Sequence, residues 1–173
     1  MRRERAGARL SPPQERFWFL DQIAPDAPVP NAGLAVWISD RPATGDLAAA
    51  LGDVAARHDA ARLRVSVRDG EPLAEMGEPA VAVEEAAAPD HAAALRLARA
   101  ALEEPFDLEA GPPLRALHVR LPDMSLLVLA AHRAALDHRS LELLAGEVAA
   151  RCGARRAGGD AAADPRPALA PEG

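Results

Sequence analysis

Met124-Ser125-Leu126-Leu127-Val128-Leu129-Ala130-Ala131-His132-Arg133-Ala134-Ala135-Leu136-Asp137-His138 runs from an almost wholly apolar stretch into a polar loop. A stretch apolar at successive positions predicts a strand buried on both faces, hence central in a sheet. Leu114–Leu121 and the Pro122-Asp123 turn supply its hairpin partner. Beyond the loop, Leu141, Leu144, Ala145 and Val148 fall on one helical face, predicting a helix over Ser140–Cys152. Loops held between rigid elements are where working side chains concentrate. This one offers His132, Arg133, Asp137 and His138.

Working outward, Ser11-Pro12-Pro13-Gln14 carries a capping Ser, Pro in the first turn and a Gln placed to reach back to the cap. Phe17, Trp18 and Leu20 give that first helix its apolar face, and Pro25–Pro30 ends it. Gly33–Ser39 alternates as a strand. Thr44 or Asp46 is placed to cap a second helix with Leu47, Leu51, Val54, Ala55 and His58 on its inner face, which predicts a core histidine. Leu63, Val65 and Val67 oppose Arg62, Arg64, Ser66 and Arg68 across a strand. Asp69-Gly70 is a two-residue hairpin turn returning through Leu73 to Met76, and a short strand follows at Val81–Val83. Asp90 caps a third helix reaching Glu103 or Glu104, ended by Pro105. The order predicts an α/β two-layer sandwich, helices on a mostly antiparallel or mixed sheet. Residues 1–9 read as an N-terminal extension, 10–152 as the folded lobe, and 153–173 as a flexible Ala/Gly/Pro-rich tail or linker.

The 173 residues suffice for one well-buried core, and 49% are apolar, which argues against disorder. All 20 basic residues are Arg, and the net charge is −6. An acidic chain is a poor match for phosphate backbones, so a nucleic-acid partner is not expected. Cys152, the lone cysteine, excludes an internal disulfide and reads as a small core residue. No apolar run is long enough to span a bilayer, and Met1–Arg5 is not followed by a signal-type apolar segment, so the expectation is cytoplasmic. His91 and His118 lack partners at metal-ligand spacing, so no metal site and no directly bound cofactor is expected.

Four segments in order resemble motifs of nonribosomal peptide synthetase condensation domains, within the chloramphenicol-acetyltransferase-like acyltransferases. Ser11-Pro12-Pro13-Gln14-Glu15-Arg16-Phe17-Trp18-Phe19-Leu20 is similar to the family's opening Ser-x-Ala-Gln-x-Arg-Leu-Trp-x-Leu. Arg57-His58-Asp59-Ala60-Ala61-Arg62 is similar to Arg-His-Glu-x-Leu-Arg. Pro105-Phe106-Asp107-Leu108, with Gly111-Pro112 and Leu114-Arg115, follows a third motif. The loop at 132–138 resembles His-His-x-x-x-Asp-Gly, with His132 and Asp137 at catalytic-motif positions, Arg133 replacing the second His and His138 replacing the Gly.

The resemblance implies one chloramphenicol-acetyltransferase-like lobe, the N-terminal half of a two-lobed domain whose site lies between lobes. In the family the second His acts on the attacking amine, as base or as positioning group. A guanidinium cannot accept that proton. The resemblance also implies a bracing ion pair between Asp137 and Arg62, while the residues themselves give Asp137 a helix N-cap role; the two are compatible. Gln14 reads as capping, Trp18 as core, and Phe106 and Leu108 as core plugs. The implied function is a half domain of carrier-protein-dependent peptide biosynthesis, non-catalytic alone. Its partners would be a carrier protein or synthetase module, a separate C-terminal lobe or a second copy. Substrates would arrive on phosphopantetheine arms. The alternatives are an acyltransferase forming an amide or ester once completed by a second lobe or homodimer, and a remnant without function.

Overall fold

Hairpin chemistry builds the framework of the computed structural model, which describes residues 7–24 and 31–155. Asp69 and Gly70 both take positive φ, 54° and 81°. A tight two-residue turn needs this to match the strand twist. It joins β3 (Leu63–Arg68) to β4 (Glu71–Met76), with Leu63 opposite Met76 and Arg68 opposite Glu71. β1 (Ala8–Arg9) lines the other edge of β4, making a three-stranded sheet ordered β1-β4-β3. Ala8 and Arg9, expected in an extension, are therefore sheet residues paired with Ala74 and Leu73.

The second hairpin joins β6 (Leu114–Arg120) to β7 (Ser125–Ala131). β2 (Ala32–Ile38) pairs antiparallel with the other edge of β7, and β5 (Val83–Ala87) runs parallel to β6. The order β2-β7-β6-β5 makes this sheet mixed and leaves β7, buried at every residue, in its interior. The strand expected at Val81–Val83 begins where that expectation ended and continues through Glu84 and Glu85.

Because side chains alternate along β7, the strand feeds two cores. Leu127, Leu129 and Ala131 face α2 (Thr44–Ala55) and α4 (His138–Arg155), packed with Leu47, Leu51, Val54, Leu141, Leu144 and Val148. Leu126 and Val128 face α3 (His91–Glu103), whose inner residues are Ala94 and Ala98. Each large leucine buried this way contributes about 1.5–3 kcal/mol. Small residues let α3 lie close: a Cβ on Gly33 would come within 2.5 Å of Leu102 Cδ2. The α/β class with helices on a mixed sheet is as expected, and α3 adds a helical layer to the two that the sequence suggested.

α1 (Pro12–Ile23) sits apart from both cores. Ser11 N–H donates to Gln14 Oε1 (2.9 Å), the expected capping arm. Phe17 and Trp18 rest on a third small cluster, Leu10, Val65, Leu108 and Ala134, yet no residue of α1 is buried. Asp90 Oδ1 accepts Ala93 N–H (2.8 Å) at the start of α3, as its capping role requires. In α2, Ala43 holds the cap position, leaving Thr44 in the first turn and free for another partner. α4 continues through Gly153 to Arg155, into the segment expected to be a tail; residues 156–173 lie outside the described residues, as do Met1–Arg5 and Pro25–Pro30.

Candidate functional site

The loop leaving β7 is pinned at two points. Ala134 buries into the cluster beneath α1, and Leu136 into the core shared by α2 and α4. His132 N–H donates to Pro113 O (2.9 Å), and Ala135 and Leu136 N–H donate to His132 O (2.9 and 3.1 Å). With Ala134 and Leu136 turned inward, Arg133 between the anchors and His132 is turned outward.

His132 is 3% exposed. Ala134 N–H donates to its Nδ1 (3.1 Å), so in the neutral ring the proton lies on Nε2, which donates to the Asp21 carboxylate of α1. Phe106 stands edge-on to the imidazole, 6.3 Å between centroids, and the Arg115 guanidinium covers the Phe106 ring at 3.9 Å. Both imidazole nitrogens are thus engaged. Leu108 plugs the core as expected, whereas Phe106 is half-buried and works as a wall for His132.

Arg133 is exposed, its guanidinium 5.6 Å from the Phe17 ring centroid. Asp137 is the N-cap of α4: its Oδ1 accepts Ser140 N–H (2.8 Å) and the Ser140 hydroxyl (2.7 Å). Those two bonds from Ser140 hold its carboxyl below the usual carboxylate range. Arg62 is not its partner. Arg62 pairs with Asp59, three residues back on the same 3₁₀ turn (Asp59–Arg62), and among the described residues no ion pair joins Arg62 to Asp137. The shorter route wins for each group: a carboxylate one turn away for Arg62, the helix amides for Asp137. His138 Nδ1 donates to Gly33 O (3.1 Å), and its Nε2 lies 3.6 Å from Glu142 Oε1 at the surface.

His58 is a second departure. α2 ends before it, and its half-exposed ring binds Glu147 Oε1 of α4 (2.8 Å), alongside Arg57 and Arg151. The His58 hydrogen bond, then Arg57, hold the Glu147 carboxyl below its ordinary range. This cluster ties the exit of α2 to α4. His118 takes the core position instead. It is fully buried on β6, and its Nδ1 donates to Thr44 Oγ1 (2.8 Å), whose hydroxyl donates to Glu85. Its Nε2 is buried without a partner among the described residues, and burial pushes its pKa down, against the pull of the Glu85 carboxylate.

Chemically, the loop presents an exposed cation, a sealed imidazole, a capped carboxylate and, at its end, the exposed imidazole of His138. None of the first three is placed to take a proton from a bound group. Asp21 is the site residue that sequence reasoning missed, since no spacing rule connects position 21 to position 132. Among the described residues no group of His, Cys, Asp and Glu could hold a metal ion, and no helix is long and apolar enough to cross a membrane.

Residues 5–167 match the family model described as Condensation domain. The phosphinothricin tripeptide synthetase PhsC of Streptomyces viridochromogenes is 37% identical over 166 residues, 91% of this chain and 15% of that protein. The isonitrile lipopeptide synthase of Mycobacterium tuberculosis is 36% identical over 163 residues, 88% of this chain and 6% of that protein. Among solved structures, the starter condensation domain of rhizomide synthetase RzmA superposes with a TM-score of 0.81 at 26% identity, covering 92% of this chain and 42% of that one. The X-domain from teicoplanin biosynthesis gives 0.75 at 28% identity, covering 95% and 36%. The chain therefore spans less than half of each of these relatives.

Proposed function

Because the chain belongs to the condensation-domain family, we propose that it serves nonribosomal peptide assembly in the cytoplasm as an N-terminal lobe that docks and positions rather than catalyses. The observation that carries this is Arg133. The position where the resemblance puts the proton-accepting His holds an exposed guanidinium, and the neighbouring imidazole has both nitrogens committed. General-base help is worth about 10²–10⁴ in rate, so amide formation through this loop is slower by that order. The partners on this reading are a carrier protein or synthetase module, and a second lobe supplied by other polypeptide or by a second copy. Substrates come on phosphopantetheine arms held by the carrier.

The test is amide formation from two loaded carrier proteins by the purified chain, alone and with a complementing C-terminal lobe, as wild type and as Arg133→His. Turnover by Arg133→His with the added lobe, and none by wild type, is expected. Wild-type turnover matching Arg133→His overturns the reading.

A second reading, an acyltransferase once completed, is favoured by His138. Its Nδ1–H is committed to Gly33 O, which leaves Nε2 able to accept a proton at the surface. Wild-type turnover that His138→Ala abolishes would establish it.

A further inference from the structure

His132 is hidden by a helix that is itself poorly anchored. The Asp21 carboxylate on α1 accepts a hydrogen bond from Nε2–H, and the other imidazole nitrogen accepts from the loop's own backbone. α2, α3 and α4 each bury side chains in a sheet-backed core, whereas α1 buries none. Its outward face carries two exposed apolar side chains, Phe19 at 55% and Ile23 at 60%, beside Glu15, Arg16 and Gln22. Space is also left around it: a cleft of about 640 Å³ opens between α1 and the β3–β4 hairpin, lined by Pro12, Trp18, Phe19, Gly70 and Pro72 among others. The Trp18 indole N–H is buried without an acceptor among the described residues. An unpaired buried donor marks imperfect packing, which lowers the cost of moving the element that carries it.

We propose that α1 is a lid over the 132–138 loop, latched by Asp21 on His132, and that it opens locally to uncover Nε2 while both sheet-backed cores stay folded. Elements with few buried apolar contacts open independently of the global unfolding reaction. Opening removes Asp21 from Nε2, withdraws Phe17 from Arg133, and exposes one wall of the loop. Leu136, the loop's anchor in the core shared by α2 and α4, belongs to a different cluster and remains in place, whereas Ala134, in the cluster beneath α1, loses its cover. Asp21 is thus a positioning residue for the loop, acting through His132. The inference does not depend on the docking function: it concerns the reactivity of one imidazole in the free chain.

The experiment is histidine modification by diethyl pyrocarbonate, followed residue by residue by mass spectrometry on the full chain. His118, fully buried under α2, is the internal reference for global unfolding. In wild type, His138 and His58 react fast, His132 more slowly, and His118 slowest. Asp21→Ala raises the His132 rate on the order of tenfold while His118 stays unreactive, as local opening requires. A His132 rate unchanged by Asp21→Ala, or His132 and His118 rising together, overturns the proposal. Hydrogen exchange on the wild type needs no variant: α1 amides must exchange faster than those of α2 and α4, through an opening insensitive to mild denaturant. Equal protection of the three helices also overturns it.

Discussion

α4 and α1 flank the same loop and are held by opposite physics. α4 drives Leu141, Leu144 and Val148 into a core shared with β7 and α2, and starts on the Asp137 cap. α1 rests on a small cluster through Phe17 and Trp18, and on polar contacts through Asp21 to His132 and through Phe17 to Arg133. Burial is non-directional and hard to remove one contact at a time. A polar latch is removed by one substitution. The loop is therefore fixed firmly on its inner side and covered lightly on its outer side.

The largest expected effect tests this asymmetry directly. Leu141→Ala should cost about 2–5 kcal/mol, because the cavity it leaves under the sheet cannot collapse. Phe19→Ala, on the exposed face of α1, should stay within about 0.5 kcal/mol. Urea denaturation of the two variants checks the pair, and similar losses would erase the distinction between the helices.

A smaller effect sharpens the contrast between the buried cluster and the surface. His118 has a folded-state pKa below its unfolded value of about 6.5, so the unfolded chain binds the proton that the folded chain refuses. Its stabilising contribution is complete above about pH 6.5 and declines as the pH falls below that value. The urea midpoint should therefore drop between pH 8 and pH 5.5, and His118→Gln should flatten that limb. An unflattened limb would assign the pH dependence to other groups.

The smallest effects lie on the loop itself. Asp137→Ala should cost about 1 kcal/mol, the usual loss of a helix N-cap. Arg133→Ala should change stability by less than about 0.5 kcal/mol, since its guanidinium is exposed and only distantly over Phe17. Thermal unfolding at neutral pH separates them. A larger loss for Arg133→Ala than for Asp137→Ala would mean that the outer cover carries more of the structure than its burial indicates.

The elements that were legible in the sequence are those whose signal is local. Asp69-Gly70 demanded its turn, Asp90 its cap, and the Leu114–Ala131 hairpin its apolar run. Asp137 capped its helix because the amides it serves are three residues away. The expected Arg62–Asp137 pair did not form, because each group had a nearer partner. His58 looked like a core residue by helical period, but α2 stops short of it and the ring turns to Glu147. His118, on a strand whose alternation gave it no special mark, joined His132 as a buried histidine.

From the residues alone came the α/β class and the central strand, which rest on short-range stereochemistry and on period, while the four motif segments came from resemblance to a family. The tertiary structure decided the second helical layer, the polar chain through His118, the clamp on Glu147 and the latch between Asp21 and His132. Each joins residues far apart in the chain, and which polar group meets which is set by where packed elements bring them, a matter on which side-chain pattern along one segment carries no information.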